Sequence, residues 1–211
     1  MINVIITAGG TSSRFAGQNK LLYKIEDKTV LEHTIDKFLS LDFIDKIIIS
    51  ANKMIIPDLP LKIVENAKIE IVEGGKTRQE SVYNALKVCK NCDFVIIHDG
   101  ARPFISPSVI KKCFEKAKET NAAIVAVKTT DTIKIVDEKG FITSTPPREF
   151  LWNAQTPQIF KYDLIYKLHE QYRGYGYTDD ALLCENAGIP VCIVEGEYSN
   201  IKITTIEDIS K

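Results

Sequence analysis

Long apolar runs are missing from this 211-residue sequence: no stretch approaches the roughly eighteen residues that a membrane-spanning helix needs. No basic segment leads into an apolar one near Met1, so a secretory leader is not expected. An excess of one charge is missing too. The 27 Lys and Arg are offset by 28 Asp and Glu mixed along the chain, a formal net charge of -1 that advertises neither a nucleic-acid face nor a membrane surface. Cysteine is scarce and odd in number: Cys89, Cys92, Cys113, Cys184 and Cys192 form no disulfide framework. Cys89 and Cys92 have C-x-x-C spacing without the second pair or histidine that would complete a zinc site. These absences point to a cytoplasmic protein with no nucleic-acid or membrane partner. Two common phosphate-binding patterns are also lacking. Lys20 stands ten residues beyond Gly10 and is followed by Leu21, which is not G-x-x-x-x-G-K-S/T, and no G-x-G-x-x-G signals a dinucleotide fold.

What is present is a 45% hydrophobic chain, enough for a substantial core and most simply read as one domain spanning residues 1–211. It is organised around its first twenty residues. Ile2 to Thr7 reads as a β-branched strand buried on both faces of a parallel sheet. It runs into Ala8-Gly9-Gly10, where small side chains let a ligand approach the backbone and let N–H groups converge on an anion. Arg14 and Lys20 follow, a planar fork of donors and a compact point charge, which together suit a polyphosphate.

Strand and helix signals then alternate. Thr29 to Glu32 has the form of a capping box, and Leu31, Ile35, Phe38 and Leu39 recur at helical spacing behind it. Lys46–Ala51 and Lys68–Val72 read as strands. The second strand ends in Gly74-Gly75, with Ser81 and an amphipathic helix over Val82, Ala85, Leu86 and Cys89 beyond it. Asp93–Ile97 leads into His98-Asp99-Gly100-Ala101-Arg102, Ser106-Pro107 opens another helix, and Ala122–Val127 is a further strand. This rhythm specifies an α/β fold whose mostly parallel sheet carries helices on both faces.

The rhythm breaks after Thr129. Thr132–Val136 and Phe141–Ser144, joined across a glycine-containing turn, read as a β-hairpin arm over about 131–147, whose apolar residues need a second subunit to cover them. A helix around Leu164, Ile165 and Leu168, a helix over Thr178–Ala187 and a strand near Val191–Val194 follow. Ile201–Thr205 has a strand's β-branched composition, on which Lys202 reads either as a solvated cation or as a ligand contact. His98 reads as a packed, hydrogen-bonded core histidine, and Asp179 and Asp180 as acids favouring a helix N-terminus.

In an open parallel sheet ligands sit beyond the carboxyl ends of the strands. Those ends carry Gly9, Gly10, Arg14 and Lys20, then Gly75 and Ser81, then Asp99 and Arg102. They amount to a triphosphate clamp, a base-and-ribose shelf, and a carboxylate suited to a magnesium ion that prefers few carboxylates plus phosphate oxygens. The ordered series Ala8-Gly9-Gly10-x-x-x-Arg14, Gly74-Gly75-x-x-Arg78-x-x-Ser81, His98-Asp99-x-Ala101-Arg102-Pro103, Asp131-Thr132-Ile133-Lys134, Gln155-Thr156-Pro157-Gln158 and Asn200-Ile201-Lys202-Ile203-Thr204 resembles the 2-C-methyl-D-erythritol 4-phosphate cytidylyltransferases of the non-mevalonate isoprenoid pathway.

The resemblance implies a Rossmann-like three-layer fold of the nucleotidyltransferase, glycosyltransferase-A-like kind with a protruding β-hairpin, working as a homodimer. It implies attack of the acceptor's 4-phosphate on the α-phosphate of CTP. Arg14, Lys20, Arg148 and Lys202 would be catalytic, and Ala8, Gly9, Gly10, Gly75, Ser81 and Gly100 would bind nucleotide. Arg102, Thr132, Arg148, Thr156, Thr178 and Lys202 would hold the phosphorylated polyol, and Asp99 a magnesium ion. Ser12, Asn19, Gly9 and Gly100 depart from the commonest family pattern. Gly9 and the Gly196-Glu197-Tyr198-Ser199 stretch also fit ribitol-5-phosphate cytidylyltransferases, whereas Ala101, Lys134 and Leu151-Trp152-x-Ala154 fit the methylerythritol enzymes. A non-catalytic nucleotide-binding protein is a further alternative, opposed by retention of Arg14, Lys20 and Asp99 together.

Overall fold

A computed structural model describes residues 1–10, 15 and 19–209 of the chain. Arg14 and Ser12, singled out above, lie outside the described residues. In chain order the elements are β1 (Ile2–Ala8), β2 (Lys24–Ile25), β3 (Lys28–Thr29), α1 (Val30–Leu39), β4 (Lys46–Ala51), α2 (Leu61–Val64), β5 (Ile69–Glu73), α3 (Arg78–Leu86) and β6 (Phe94–Asp99). Then come α4 (Pro107–Thr120), β7 (Ala122–Lys128), β8 (Ile135–Val136), β9 (Ile142–Ser144), β10 (Trp152–Lys161), α5 (Tyr162–Gln171), α6 (Ala181–Asn186) and β11 (Cys192–Glu195).

Seven of the strands form one sheet in the order β11-β7-β10-β6-β1-β4-β5. The pairs β1 with β4, β1 with β6, β4 with β5 and β11 with β7 are parallel, and β10 runs antiparallel to both its neighbours. Because side chains alternate across a strand, β1 sends Val4, Ile6 and Ala8 to one face and Ile5 to the other. The first face packs on α1 and α4 through Leu31, Ile35, Phe38, Ile110 and Cys113, and the second on α3, α5 and α6 through Val82, Leu86, Ile165 and Leu183. The sheet is therefore covered on both sides, which is why its central strands are almost wholly apolar.

Local chemistry fixes where the helices begin. Thr29 Oγ1 accepts from the Glu32 amide while Glu32 Oε2 accepts from the Thr29 amide, so the capping box expected at α1 is complete. Ser106 caps α4 with Pro107 in its first turn, and Asn121 ends it in the left-handed conformation at φ 64°.

Three sequence expectations are corrected. Ile201–Thr205 is not a strand: Ile203 N donates to Ala101 O and Arg102 Nη1 to Asn200 O, so the segment is fastened to the loop after β6 and not to a ladder. The helix expected over Thr178–Ala187 spans only Ala181–Asn186, because Asp179 Oδ1 takes the amides of Ala181 and Leu182 and starts it there. The hairpin ladder joins only Ile135–Val136 to Ile142–Ser144, and its flanks are exposed and irregular.

Candidate active site

The chain starts at β1, adds β4 and β5 on one side, and returns to place β6 on the other, so the connection order reverses at the carboxyl ends of β1 and β6. A cleft of about 310 Å³ opens there. Gly9, Gly10, Lys20, Gly75, Ser81, Asp99, Gly100 and Lys202 line it. Eight of the expected residues thus meet in one place, joined by Thr7, Lys76, Thr77 and Arg78.

The glycines serve different ends. A Cβ on Gly9 or Gly74 would stand 3.1 Å from Ser81 Oγ, so this buried hydroxyl sits where the two glycine turns close on each other. Ser81 Oγ accepts from Gly75 N at 3.0 Å and donates to Thr77 O at 2.9 Å, which pins the turn that starts α3. A Cβ on Gly75 would collide with the side chain of Glu80. Glu80 needs that space to fold back and accept from Lys76 N at 2.7 Å. Gly10 has nothing within 4 Å of a Cβ and faces open cleft. Gly100 lines the cleft, yet a Cβ there would meet Thr7 O at 2.9 Å, so close packing on β1 is already enough to require it.

Asp99 is the electrostatic centre. Its Oδ2 lies 2.9 Å from Lys202 Nζ and 3.5 Å from Arg102 Nε. Among the described residues its Oδ1 has only long contacts, 3.4 Å to Thr7 Oγ1 and 3.5 Å to Arg78 Nε. Burial would raise the pKa of this carboxyl, but the charges of Arg78, Lys202 and Arg102 outweigh it and hold the group well below the ordinary carboxylate range. Arg78 makes its short contact elsewhere, 2.6 Å from Nη1 to Asp180 Oδ2. Burial alone would lower its pKa, yet Asp180 and Asp99 raise it, so it is a fixed cation. Lys20 Nζ donates to Ile203 O at 2.7 Å, tying the first loop to the segment that carries Lys202.

Beneath Asp99 lies a closed polar relay. Burial holds the His98 imidazole down at about 4, so it is neutral. Its Nε2 must carry the proton, because its partner at 3.1 Å, Arg102 O, can only accept. Nδ1 is then an acceptor, and the Thr156 hydroxyl donates to it at 3.0 Å while accepting from Asp99 N at 3.0 Å. Thr156, expected to touch the polyol, is buried here and spends its hydroxyl holding the Asp99 backbone. Arg102 likewise lies below the cleft, bonded to Asn200 O, with its pKa drawn down by burial against the pull of Asp99. The buried Asn200 amide donates to Gln155 Oε1 and Thr156 O and fastens the Lys202 segment from behind.

The remaining expected residues are not at this cleft. Ala8 is buried at the end of β1. Thr178 is exposed ahead of α6, Thr132 is exposed on the hairpin segment, and Arg148 at the hairpin base donates to Thr130 O. Arg78 and Asp180 are what sequence reasoning missed. Arg78 stands at the first position of α3 behind Gly74-Gly75, which was a usable signal, but Asp180 is brought to it from 102 residues away.

With one cleft carboxylate and several cations, the site fits a divalent cation that arrives with phosphate oxygens. Among the described residues no group of three or more His, Cys, Asp or Glu could hold a metal by itself, so a metal here would need ligand oxygens from the substrate. Of the two Asp99 oxygens, Oδ1 is the more loosely held among the described residues.

Comparison with known proteins gives a consistent outcome. The family described as "IspD: 2-C-methyl-D-erythritol 4-phosphate cytidylyltransferase" matches residues 2–211. A 2-C-methyl-D-erythritol 4-phosphate cytidylyltransferase of Clostridioides difficile is 44% identical over 100% of this chain and 91% of its own length. One of Caldanaerobacter subterraneus subsp. tengcongensis is 40% identical, covering 99% and 95%. Among solved structures, 4-diphosphocytidyl-2C-methyl-D-erythritol synthase of Anaerococcus prevotii superposes with a TM-score of 0.88 at 36% identity, covering 99% of this chain and 94% of that one. The Francisella tularensis enzyme gives 0.85 at 33% identity, covering 99% and 96%.

Proposed function

Because the chain belongs to the 2-C-methyl-D-erythritol 4-phosphate cytidylyltransferase family, we infer that it transfers CMP from CTP to 2-C-methyl-D-erythritol 4-phosphate, giving 4-diphosphocytidyl-2-C-methyl-D-erythritol and pyrophosphate. The family relationship favours this acceptor over ribitol 5-phosphate and favours an enzyme over a non-catalytic binder. The observation that carries the reading onto residues is the convergence of Lys20, Arg78, Lys202 and Asp99 with the Gly9-Gly10 and Gly75 turns in one cleft at the topological switch.

The chemistry asks for charge management more than proton transfer. A phosphate monoester is already an anionic nucleophile, so no general base is needed, and the obstacle is bringing two anions together. In this reading the amides and open space at Gly9 and Gly10 receive the triphosphate. Lys20 faces the α-phosphate and stabilises the charge that builds on its oxygens, a role assigned from the family resemblance to Arg14 as well. Gly75 and Ser81 shape the cytidine end. Lys202 leaves Asp99 to meet the acceptor phosphate and is held ready by Asn200, Arg102 and the Ala101 carbonyl. A magnesium ion at Asp99 would neutralise triphosphate charge.

We place Thr132 and Arg148 in the neighbour's acceptor site of a homodimer. The hairpin segment exposes Phe141 at 68%, Ile142 at 62% and Phe150 at 75%, an apolar surface that a second copy would cover. Thr178 is assigned to the acceptor side as well. The free cysteines suit a reducing compartment, and we propose the cytoplasm. No described helix is long and apolar enough to cross a membrane.

The test is an incubation with CTP, magnesium and either methylerythritol 4-phosphate or ribitol 5-phosphate, reading pyrophosphate release. The expected result is release with the first acceptor only. Equal release with ribitol 5-phosphate would contradict the acceptor assignment, and no release with either would contradict the enzyme reading.

A further inference from the structure

The pair Asp180–His169 lies outside the cleft lining, yet it is wired to the cleft. Asp180 is buried to 1% exposure and His169 likewise. Asp180 Oδ2 takes Arg78 Nη1 at 2.6 Å, and Asp180 Oδ1 lies 3.0 Å from His169 Nε2. Since a carboxylate with these partners only accepts, His169 donates through Nε2 and fixes which oxygen turns to Arg78. The peptide of Asp180 is fixed as well, its amide donating to Gln158 Oε1 at 3.1 Å.

Arg78 therefore stands between two carboxylates and is shared unequally. Its short, charge-assisted bond goes to Asp180, and it reaches Asp99 Oδ1 only at 3.5 Å through Nε. Arginine and carboxylate prefer a close, often bidentate pairing at about 2.8 Å. Nothing in the Arg78–Asp99 contact approaches that. With no acceptor bound, Asp99 Oδ2 is taken by Lys202, so Oδ1 is the oxygen that decides whether Asp99 can serve a cation arriving with CTP.

We propose that Asp180, oriented by His169, is a positioning residue that holds Arg78 back from Asp99 Oδ1 and so keeps that oxygen open for a divalent cation. The inference rests on the assignment of Asp99 to the metal. Without the Asp180 charge, Arg78 closes onto Oδ1 and competes with the ion. With it, Arg78 still contributes positive charge to the cleft without occupying the ligand oxygen. A buried Asp–His pair that served packing alone would have no reason to show up in metal binding.

The experiment reads Mn2+ binding to the protein with CTP and no acceptor, by electron paramagnetic resonance. It compares wild type, Asp99→Asn, Asp180→Asn, Arg78→Gln and the Arg78→Gln/Asp180→Asn double variant. Asp180→Asn is expected to weaken Mn2+ binding about tenfold, the worth of one competing charge-assisted bond, and to have no further effect once Arg78 is Gln. A crystal structure of Asp180→Asn without metal is expected to show Arg78 closed onto Asp99 Oδ1. Unchanged Mn2+ affinity in Asp180→Asn, an equal loss in the Arg78→Gln background, or an unmoved Arg78 would each overturn the proposal. Should Asp180→Asn fail to fold, His169→Leu must weaken Mn2+ binding and His169→Gln, which retains a donor, must restore it; no difference between them overturns the proposal. Wild type binding Mn2+ no better than Asp99→Asn would instead remove the metal assignment itself, and the proposal with it.

Discussion

In the proposed reaction Lys20 and Asp99 act through charge, and the two should fail differently. Removing one preorganised donor to a developing oxyanion costs about 3 to 4 kcal/mol, so Lys20→Ala is expected to lower turnover by roughly two to three orders of magnitude. The variant should melt normally, because Lys20 is half-buried at the cleft edge; near-normal turnover in a folded Lys20→Ala would remove it from the clamp. Asp99→Asn keeps the shape and loses the charge, so the magnesium concentration for half-maximal rate should rise, and an unchanged magnesium titration would contradict the assignment. His98 makes a prediction about stability. Burial lowers its pKa from 6.5 to about 4 in the folded protein. Between those values the unfolded chain binds a proton that the folded chain does not, so the stabilisation is complete above pH 6.5 and lost as pH falls toward 4. The loss over that range is about 3 kcal/mol, because each tenfold change in proton affinity is worth about 1.4 kcal/mol. Urea denaturation at pH 7, 5.5 and 4.5 should show His98→Asn losing distinctly less stability than wild type, and parallel losses would contradict the buried neutral imidazole.

At the scale of elements, the two glycine turns are coupled through Ser81. Its hydroxyl is the acceptor for Gly75 N and fills the space between Gly9 and Gly74. Ser81→Ala leaves that amide unpaired and loosens the turn that starts α3, so the Michaelis constant for CTP is expected to rise about fivefold, the loss of roughly one hydrogen bond, with a smaller change in kcat. Steady-state kinetics with varied CTP check this, and a kcat loss at constant KM would place Ser81 in the chemistry. The parallel strands, the capped helices α1 and α4 and the glycine turns are legible in the sequence because each is written in consecutive residues: β-branched runs, Thr29 to Glu32, Ser106-Pro107; β2, β3 and the antiparallel β10 are not read from it. Nor is the Lys202 segment. Ile201 to Thr205 has a strand's composition, but the segment is fastened by the Ala101 carbonyl at Ile203 and by the Arg102 side chain at Asn200, both from another loop. The same holds within the site. Thr156 and Arg102 sit beneath Asp99 because β10 lies beside β6, and Asp180 meets Arg78 across the sheet's far layer. Such long-range partners have no local signature.

For the whole molecule, the hairpin raises the question of which subunit it serves. If Arg148 acts in the neighbour's site while Lys20 acts in its own, homodimers of Lys20→Ala or Arg148→Ala carry two damaged sites each. A mixed dimer then concentrates both lesions in one site and leaves the other intact. Random reassortment of equal amounts should recover about a quarter of wild-type activity. Reassociating the two inactive variants, confirming mixed dimers by mass and finding no recovery would show that the hairpin serves its own subunit. On the proposed function, the acceptor's own phosphate attacks the α-phosphate of CTP within the Lys20–Asp99 cleft. The most direct measurement uses methylerythritol 4-phosphate carrying 18O in its phosphate, with mass spectrometry of both products. All of the label is expected in the cytidyl diphosphate product and none in pyrophosphate, with formation of both about a hundredfold slower in Lys20→Ala. Label in pyrophosphate, or pyrophosphate release that does not depend on the acceptor, would contradict it.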